Sequence, residues 1–333
     1  MSIQQQETPL LAHPQAQSRD DKPKPKSFRR VLYTAQQKSG FKSAVNFYLF
    51  LLTAGVFGVF CLYRVRSTYH EFWLRHTVLH RFWYTDGFLG SWMSIHLKTV
   101  IPAGLMMPFQ FLPVIRQRYP RFHRYSGRLN FVLLIIANIS GFFVAPKAMG
   151  GSASIRIVIF FIAGFSLFSA FKSWIGIRNM RIDQHRAWVI RTWAYMGSIL
   201  SLRIWIVPFM IATQILNTNV HKRVLECQEV LFLYSTRGLS LTEPLARYPV
   251  CANATMGGAP VDVIVTAALG PNVEQVYTML GVCFGAAGWA GLMINALAVE
   301  AYLNYTRDEE ERLKKVSEVR RKAAQAAATM ARQ

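Results

Sequence analysis

Six separate apolar runs, each about the length of a bilayer crossing, leave this chain few folds to choose from. They fall at about 44–62, 90–113, 129–147, 154–177, 187–214 and 277–303. A helix needs roughly 20 apolar residues to cross a hydrocarbon core of about 30 Å. In lipid every backbone N–H and C=O must find a partner within the protein, so only helices and closed barrels cross. None of the six runs alternates with the period of a strand. The expected fold is therefore all-α: a polytopic transmembrane helix bundle with six spans. Only 17% of the residues are charged, against roughly 25% in soluble chains, which agrees.

The segments between the runs set the expected topology. Residues 1–43 are polar and basic, carry K22-P-K-P-K26, and read as a disordered tail with no cleavable signal. With that tail and residues 304–333 in the cytosol, 26 of the 38 Lys and Arg fall inside and 10 outside. This follows the positive-inside rule. The net charge of +21 then points to anionic headgroups of the cytosolic leaflet rather than to nucleic acid, for which no binding motif is present. The bilayer is the expected partner, in a plasma membrane or endomembrane.

The outer loop 215–276 holds Cys227 and Cys251, expected to form a disulfide on an oxidising side. The sequon Asn253-Ala-Thr255 marks Asn253 there as a glycosylation candidate. The loop's apolar pieces V230-L-F-L-Y234 and V261-D-V-I-V-T-A-A-L269 suit a cap over the outer mouth. The first outer loop, Y69-H-E-F-W-L-R-H-T-V-L-H-R-F-W-Y84, reads as an interfacial helix. His76 and His80 lie four apart in it, without a third metal ligand nearby. A145-P-K-A-M-G-G151 makes a tight outer turn. The last span is expected to run on into a charged cytosolic helix with Glu310–Lys314 and Glu311–Lys315 pairs.

Ionisable residues within spans are costly and mark function by default. His96 and Arg203 lie at similar expected depth in the outer half and suggest a polar outer cavity; Lys98 points elsewhere. At the inner side, R121-F-H-R-Y-S-G-R128 returns in near copy as D183-Q-H-R-A-W-V-I-R191, each opening an apolar helix. Asp183 is placed to cap the second of these. His123 and His185 occupy equivalent positions, beside Arg124, Arg128, Arg186 and Arg191. Headgroup binding accounts for the arginines but does not require a His in both copies. A ligand shared between the third and fifth spans does.

The ordered set His96, P108-F-Q-F111, H123-R-Y-S-G-R128, M149-G-G151, H185-R-A-W-V-I-R191 and L202-R-I-W205 resembles the membrane family known as domain of unknown function 2306, over about residues 90–215. The resemblance implies a signature of His96, Gln110, His123, Arg124, Gly127, Arg128, His185, Arg186, Trp188, Arg191 and Arg203. It brings no established activity. Two chemistries suit the two His-Arg clusters. One is a haem b with His123 and His185 as axial ligands and the arginines on its propionates, similar to cytochrome b561-like electron-transfer bundles. The other is an anionic or lipid-like ligand, held by a transporter or by an accessory membrane protein of a biosynthetic pathway. Any enzymatic activity is expected to be that of a membrane oxidoreductase; no Gly-x-Ser-x-Gly occurs.

Overall fold

The computed structural model describes residues 28–77, 81–85, 87–216, 221–254 and 258–331. Helix α1 is Phe28–Ser39, and α2 runs Ala44–Tyr63 through a π-type turn at Leu51–Gly55. Short α3 (His70–His76) and α4 (Arg81–Tyr84) lead into α5 (Gly87–Phe111), and α6 is Pro113–Arg118. Then come α7 (Pro120–Val144), α8 (Ala153–Arg178) and α9 (Ile182–Ile215). A small mixed unit follows: β1 (Lys222–Glu226), α10 (Cys227–Ser235), α11 (Thr242–Arg247) and β2 (Asp262–Thr266). Helices α12 (Val273–Tyr305) and α13 (Arg307–Met330) close the chain.

Among the described residues five helices are long and apolar enough to cross a membrane: Ala44–Tyr63, Pro120–Gly150, Ala153–Arg178, Ile182–Ile215 and Val273–Tyr305. They cover five of the six expected runs. The remaining run is α5, which has 25 residues and so about 37 Å of length. His96, Lys98 and Gln110 dilute its apolar character, and Pro102 and Pro108 lie inside it. Helix α7 starts at Pro120, well before the expected 129, because proline suits the first helical position. The motif R121–R128 therefore forms the first two turns of the helix rather than its approach.

Small residues set the packing. Helix α12 presents Gly285 to Ser154 of α8, Gly288 to Val158 and Leu202, and Gly291 to the backbone of Ser198 and Leu202 on α9. A side chain at these positions would hold the helices apart. Polar pairs tie the same helices. Asn138 Oδ1 accepts from Ser166 Oγ at 3.1 Å between α7 and α8, and Asn295 Oδ1 accepts from Ser201 Oγ at 3.0 Å between α12 and α9. Helices α5 and α7 pack as a second antiparallel pair, and α2 lies against α5 through Gly104, Cys61 and Phe57.

Four expectations are corrected. The polar tail does not stay irregular to residue 43: α1 is a helix, while residues 1–27 lie outside the described set. The segment 215–276 is not an irregular loop; it carries strands and helices and caps one end of the bundle. Its antiparallel strands pair Lys222 with Thr266 and Glu226 with Asp262, and its core joins Leu225, Val230, Leu233 and Val265 to Tyr277 of α12. The last span does not run on unbroken, because the chain bends at Thr306. Of the expected tail pairs neither forms; Arg312 bonds Glu309 at 2.7 Å and Arg307 lies 3.7 Å from Glu311.

Candidate functional site

Helix α13 packs against the start of α9, and this builds the site. Ser317 of α13, 3% exposed, accepts a hydrogen bond from the Ile182 N–H at 2.9 Å and donates to Asp183 Oδ1 at 2.7 Å. The first turn of α9 is thus capped from the tail, not by Asp183 as expected. The start of α9, the end of α12, α6 and the start of α7 meet α13 at one end of the bundle.

Arg116 of α6 occupies the middle of that end. It interacts electrostatically with His123, His185, Arg186, Arg312, Glu309 and Tyr302. Loss of water around its guanidinium pushes its pKa below the usual arginine range; Glu309 opposes this, and Arg186 and Arg312 add to it. Arg186 donates to Thr306 Oγ1 at 2.9 Å and lies 5.8 Å over the Tyr302 ring. Glu309 receives both Nε and Nη2 of Arg312 at 2.7 Å, which holds its carboxyl below the usual range. Five cationic or protonatable groups therefore meet one carboxylate that is already engaged.

The two histidines are not equivalent. His185 Nδ1 faces the Ser173 carbonyl at 3.1 Å and the Ser173 hydroxyl at 2.9 Å, across the α8–α9 turn. A ring nitrogen facing a carbonyl carries the proton, so Nε2 keeps its lone pair. Gly176 permits this approach, since a Cβ there would lie 3.0 Å from the His185 N. His123 Nδ1 is buried without a partner.

The other arginines of the two motifs go elsewhere. Arg191 forms a two-pronged ion pair with Glu300 at 2.6 and 2.7 Å and lies 4.7 Å over Trp188. Arg128 is exposed, 5.8 Å over Tyr125, and Arg124 is exposed beside it. Of the motif arginines, Arg186 joins the histidines; Arg116, Glu309, Arg312 and Ser317 complete the site from outside the repeats. No local pattern signals Glu309, Arg312 and Ser317, because α13 is brought in by the fold.

His96 and Gln110 have a different part. His96 Nδ1 donates to the Ala137 carbonyl at 2.9 Å and packs on Gly141, where a Cβ would sit 3.3 Å from the ring. Gln110 Nε2 donates to Ser126 Oγ at 2.7 Å, and its Oε1 would lie 3.2 Å from a Cβ on Gly127. Both residues lock α5 onto small residues of α7. Arg203 bonds the Ile199 carbonyl of its own helix and lies 5.0 Å over Phe60 of α2. It makes no hydrogen bond with His96 among the described residues.

Residues 93–228 match the family of predicted membrane proteins designated DUF2306. The match covers α5 to the start of α10, the region that carries the motifs above. The DUF2306 region thus contains His96, Gln110, both His-Arg motifs and Arg203, while α12 and α13, which complete the site, lie beyond it. Over 314 residues the chain is 23% identical to Ava biosynthesis cluster protein G of Aspergillus versicolor, spanning 80% of this chain and 90% of that protein. No solved structure matches the chain.

The cap lies at the opposite end, largely outside the DUF2306 region. Cys227 and Cys251 form the expected disulfide, and Asn253 is exposed beside it. Two buried carboxylates hold the cap to α12 in crossed fashion. Glu229 of α10 accepts from Tyr277 of α12 at 2.6 Å, and Glu274 of α12 accepts from Tyr234 of α10 at 2.7 Å. Glu229 also accepts from Trp83 Nε1 at 3.0 Å, and Arg247 pairs with Glu274. Arg223 of β1 fits its guanidinium against Gly150 and Gly281, which explains the glycine of M149-G-G151. His76 bonds the Phe72 carbonyl at 2.8 Å, and His80 lies outside the described residues. Among the described residues no three His, Cys, Asp or Glu come together as a metal site.

Proposed function

We propose that this integral membrane protein binds an anionic, lipid-like small molecule at its His-Arg end and serves a biosynthetic pathway as an accessory or transport component. The observation that carries this is the charge imbalance around Arg116. Arg116, Arg186, Arg312, His123 and His185 face Glu309 alone, and Glu309 is taken by Arg312. Gathering like charges is unfavourable unless an anion joins them. Arginine suits a carboxylate or phosphate through paired N–H groups. The relative's name, with its biosynthesis cluster, supports the pathway role. In this reading α5 completes a six-span bundle, the His-Arg end is cytosolic, and the cap with Asn253 lies outside and is glycosylated.

The test is equilibrium binding of inorganic pyrophosphate to protein in phosphatidylcholine nanodiscs. Arg116→Ala and Arg186→Ala should each weaken binding by about tenfold or more, the scale of one charge-assisted hydrogen bond. Binding unchanged in both variants would refute the site.

A second reading is a haem b between His123 and His185, favoured by the fixed tautomer of His185 with its free Nε2. Only one of the two histidines fits: His123 has no orienting bond. Arg116 beside both rings adds positive charge where a ferric centre would bring more. An absorption spectrum of the dithionite-reduced protein from haem-replete cells decides; sharp α and β bands would favour haem over the anion.

A further inference from the structure

A second cation stands apart from the His-Arg end, and nothing above uses it. Lys98 is the eleventh residue after the start of α5 at Gly87, so it lies about 16 Å along the helix. With α5 as a span, that places it within a hydrocarbon layer about 30 Å thick. Its side chain is exposed on the bundle surface and makes no hydrogen bond or ion pair among the described residues. An ammonium group at this depth requires a counter-charge or a route to water.

The structure supplies a groove there. An open groove of about 500 Å³ is lined by Lys98, the turn residues Thr68 and Tyr69, and His70 and Glu71 of α3. That is the size of an ordinary small-molecule pocket, about 300–1,000 Å³. The floor is the lysine, and the upper wall is the interfacial segment that precedes α4. Tyr69 is 72% exposed and offers a ring and a hydroxyl. His70 is held in place, with Nε2 3.4 Å from the Thr85 carbonyl and its ring stacked 6.0 Å from Trp73. Glu71 does not neutralise Lys98; its carboxylate lies 4.0 Å from Arg75. The groove therefore holds the unpaired Lys98 ammonium beside Tyr69 and His70, with Glu71 in the lining but in no ion pair with Lys98.

We propose that this groove is a lateral site for an amphiphile with a single acidic group, carboxylate or phosphate. The acid pairs with the Lys98 ammonium, and the alkyl chain lies along the lipid-facing surface of α5. A neutral amphiphile leaves the lysine unpaired, and a cationic one is repelled. The site is independent of the His-Arg end, which lies toward the other end of α5.

The experiment uses full-length protein in phosphatidylcholine nanodiscs and a fluorescent fatty acid as probe, displaced by stearate, by lysophosphatidate or by stearyl alcohol. Stearate or lysophosphatidate should displace the probe at a concentration about tenfold or more below that of the alcohol. Preference for the first identifies a free fatty acid, and preference for the second a phospholipid-derived ligand. Lys98→Met should weaken probe binding by a similar factor. This variant makes α5 more apolar and so inserts at least as well. Lys98→Arg should retain binding, as should the Arg116→Ala/Arg186→Ala pair. Equal displacement by the alcohol, undiminished binding in Lys98→Met, or loss of binding in the Arg116/Arg186 pair would each overturn the proposal.

Discussion

Glu229 offers a test of how the cap is held. Its side chain is 3% exposed and accepts from Tyr277 at 2.6 Å and from Trp83 at 3.0 Å. Burial lifts its carboxyl above the ordinary 4.5; the bonds from Tyr277 and Trp83 and the nearby Arg223 work against that lift, and Glu226 adds to it. The folded cap therefore keeps this proton to a higher pH than the unfolded chain does. The sign follows: the cap is most stable below about pH 4.5 as far as this group is concerned. It loses stability as pH rises through the folded value and then levels off. One proton limits the slope to about 1.4 kcal/mol per pH unit. Glu229→Gln keeps the acceptor and cannot ionise, so the slope should vanish. Tyr277→Phe removes the shortest donor and should cost about 1–3 kcal/mol. The assay is hydrogen exchange of peptides from residues 222–277 between pH 4 and 8, corrected for intrinsic exchange. A slope that persists in Glu229→Gln, or one of opposite sign, would refute the argument.

Three further outcomes are expected. Cys251→Ser opens a link across 24 residues of sequence and should destabilise the cap by about 3 kcal/mol, seen as faster proteolysis between residues 227 and 251. Gly281→Ala places a methyl group against the Arg223 guanidinium and should cost about 1–3 kcal/mol in thermal unfolding. Adding Arg223→Ala should recover part of that loss, whereas strictly additive effects would contradict the packing. Ser317→Ala removes bonds of 2.9 and 2.7 Å that dock α13, so limited trypsin should release the tail sooner than in the wild type.

What the sequence made legible was what depends on length and local composition. The apolar runs specify helices because a bilayer leaves little else, and the five strongest appear within a few residues, except where Pro120 starts α7 early. The Cys227–Cys251 bridge was legible because both cysteines share one segment between spans. The cap strands were not: V261-D-V-I-V-T266 alternates, but its partner Lys222–Glu226 lies across forty residues of chain that give no sign of pairing. The candidate site was half legible. The repeated His-Arg motif located the right end of the bundle. It also implied a symmetry that the fold breaks, because His185 meets Ser173 one hairpin back while His123 meets no such group. Arg191 is claimed by Glu300, more than a hundred residues on. Arg116 lies only seven residues before His123 in the same basic stretch, whereas Glu309 enters through the packing of α13 at Ser317, a long-range contact without a local signature.

The central claim is that anions bind among Arg116, His123, His185 and Arg186. Histidine-selective NMR of protein in phosphatidylcholine nanodiscs, titrated with inorganic phosphate, reads those imidazoles directly. Assignments would come from His123→Asn and His185→Asn. The account predicts saturable movement of the His123 and His185 signals together, with His96 and His221 still, and loss of that movement in Arg116→Ala. Signals of His123 and His185 that stay fixed, or that drift with all the others in proportion to ionic strength, would contradict it.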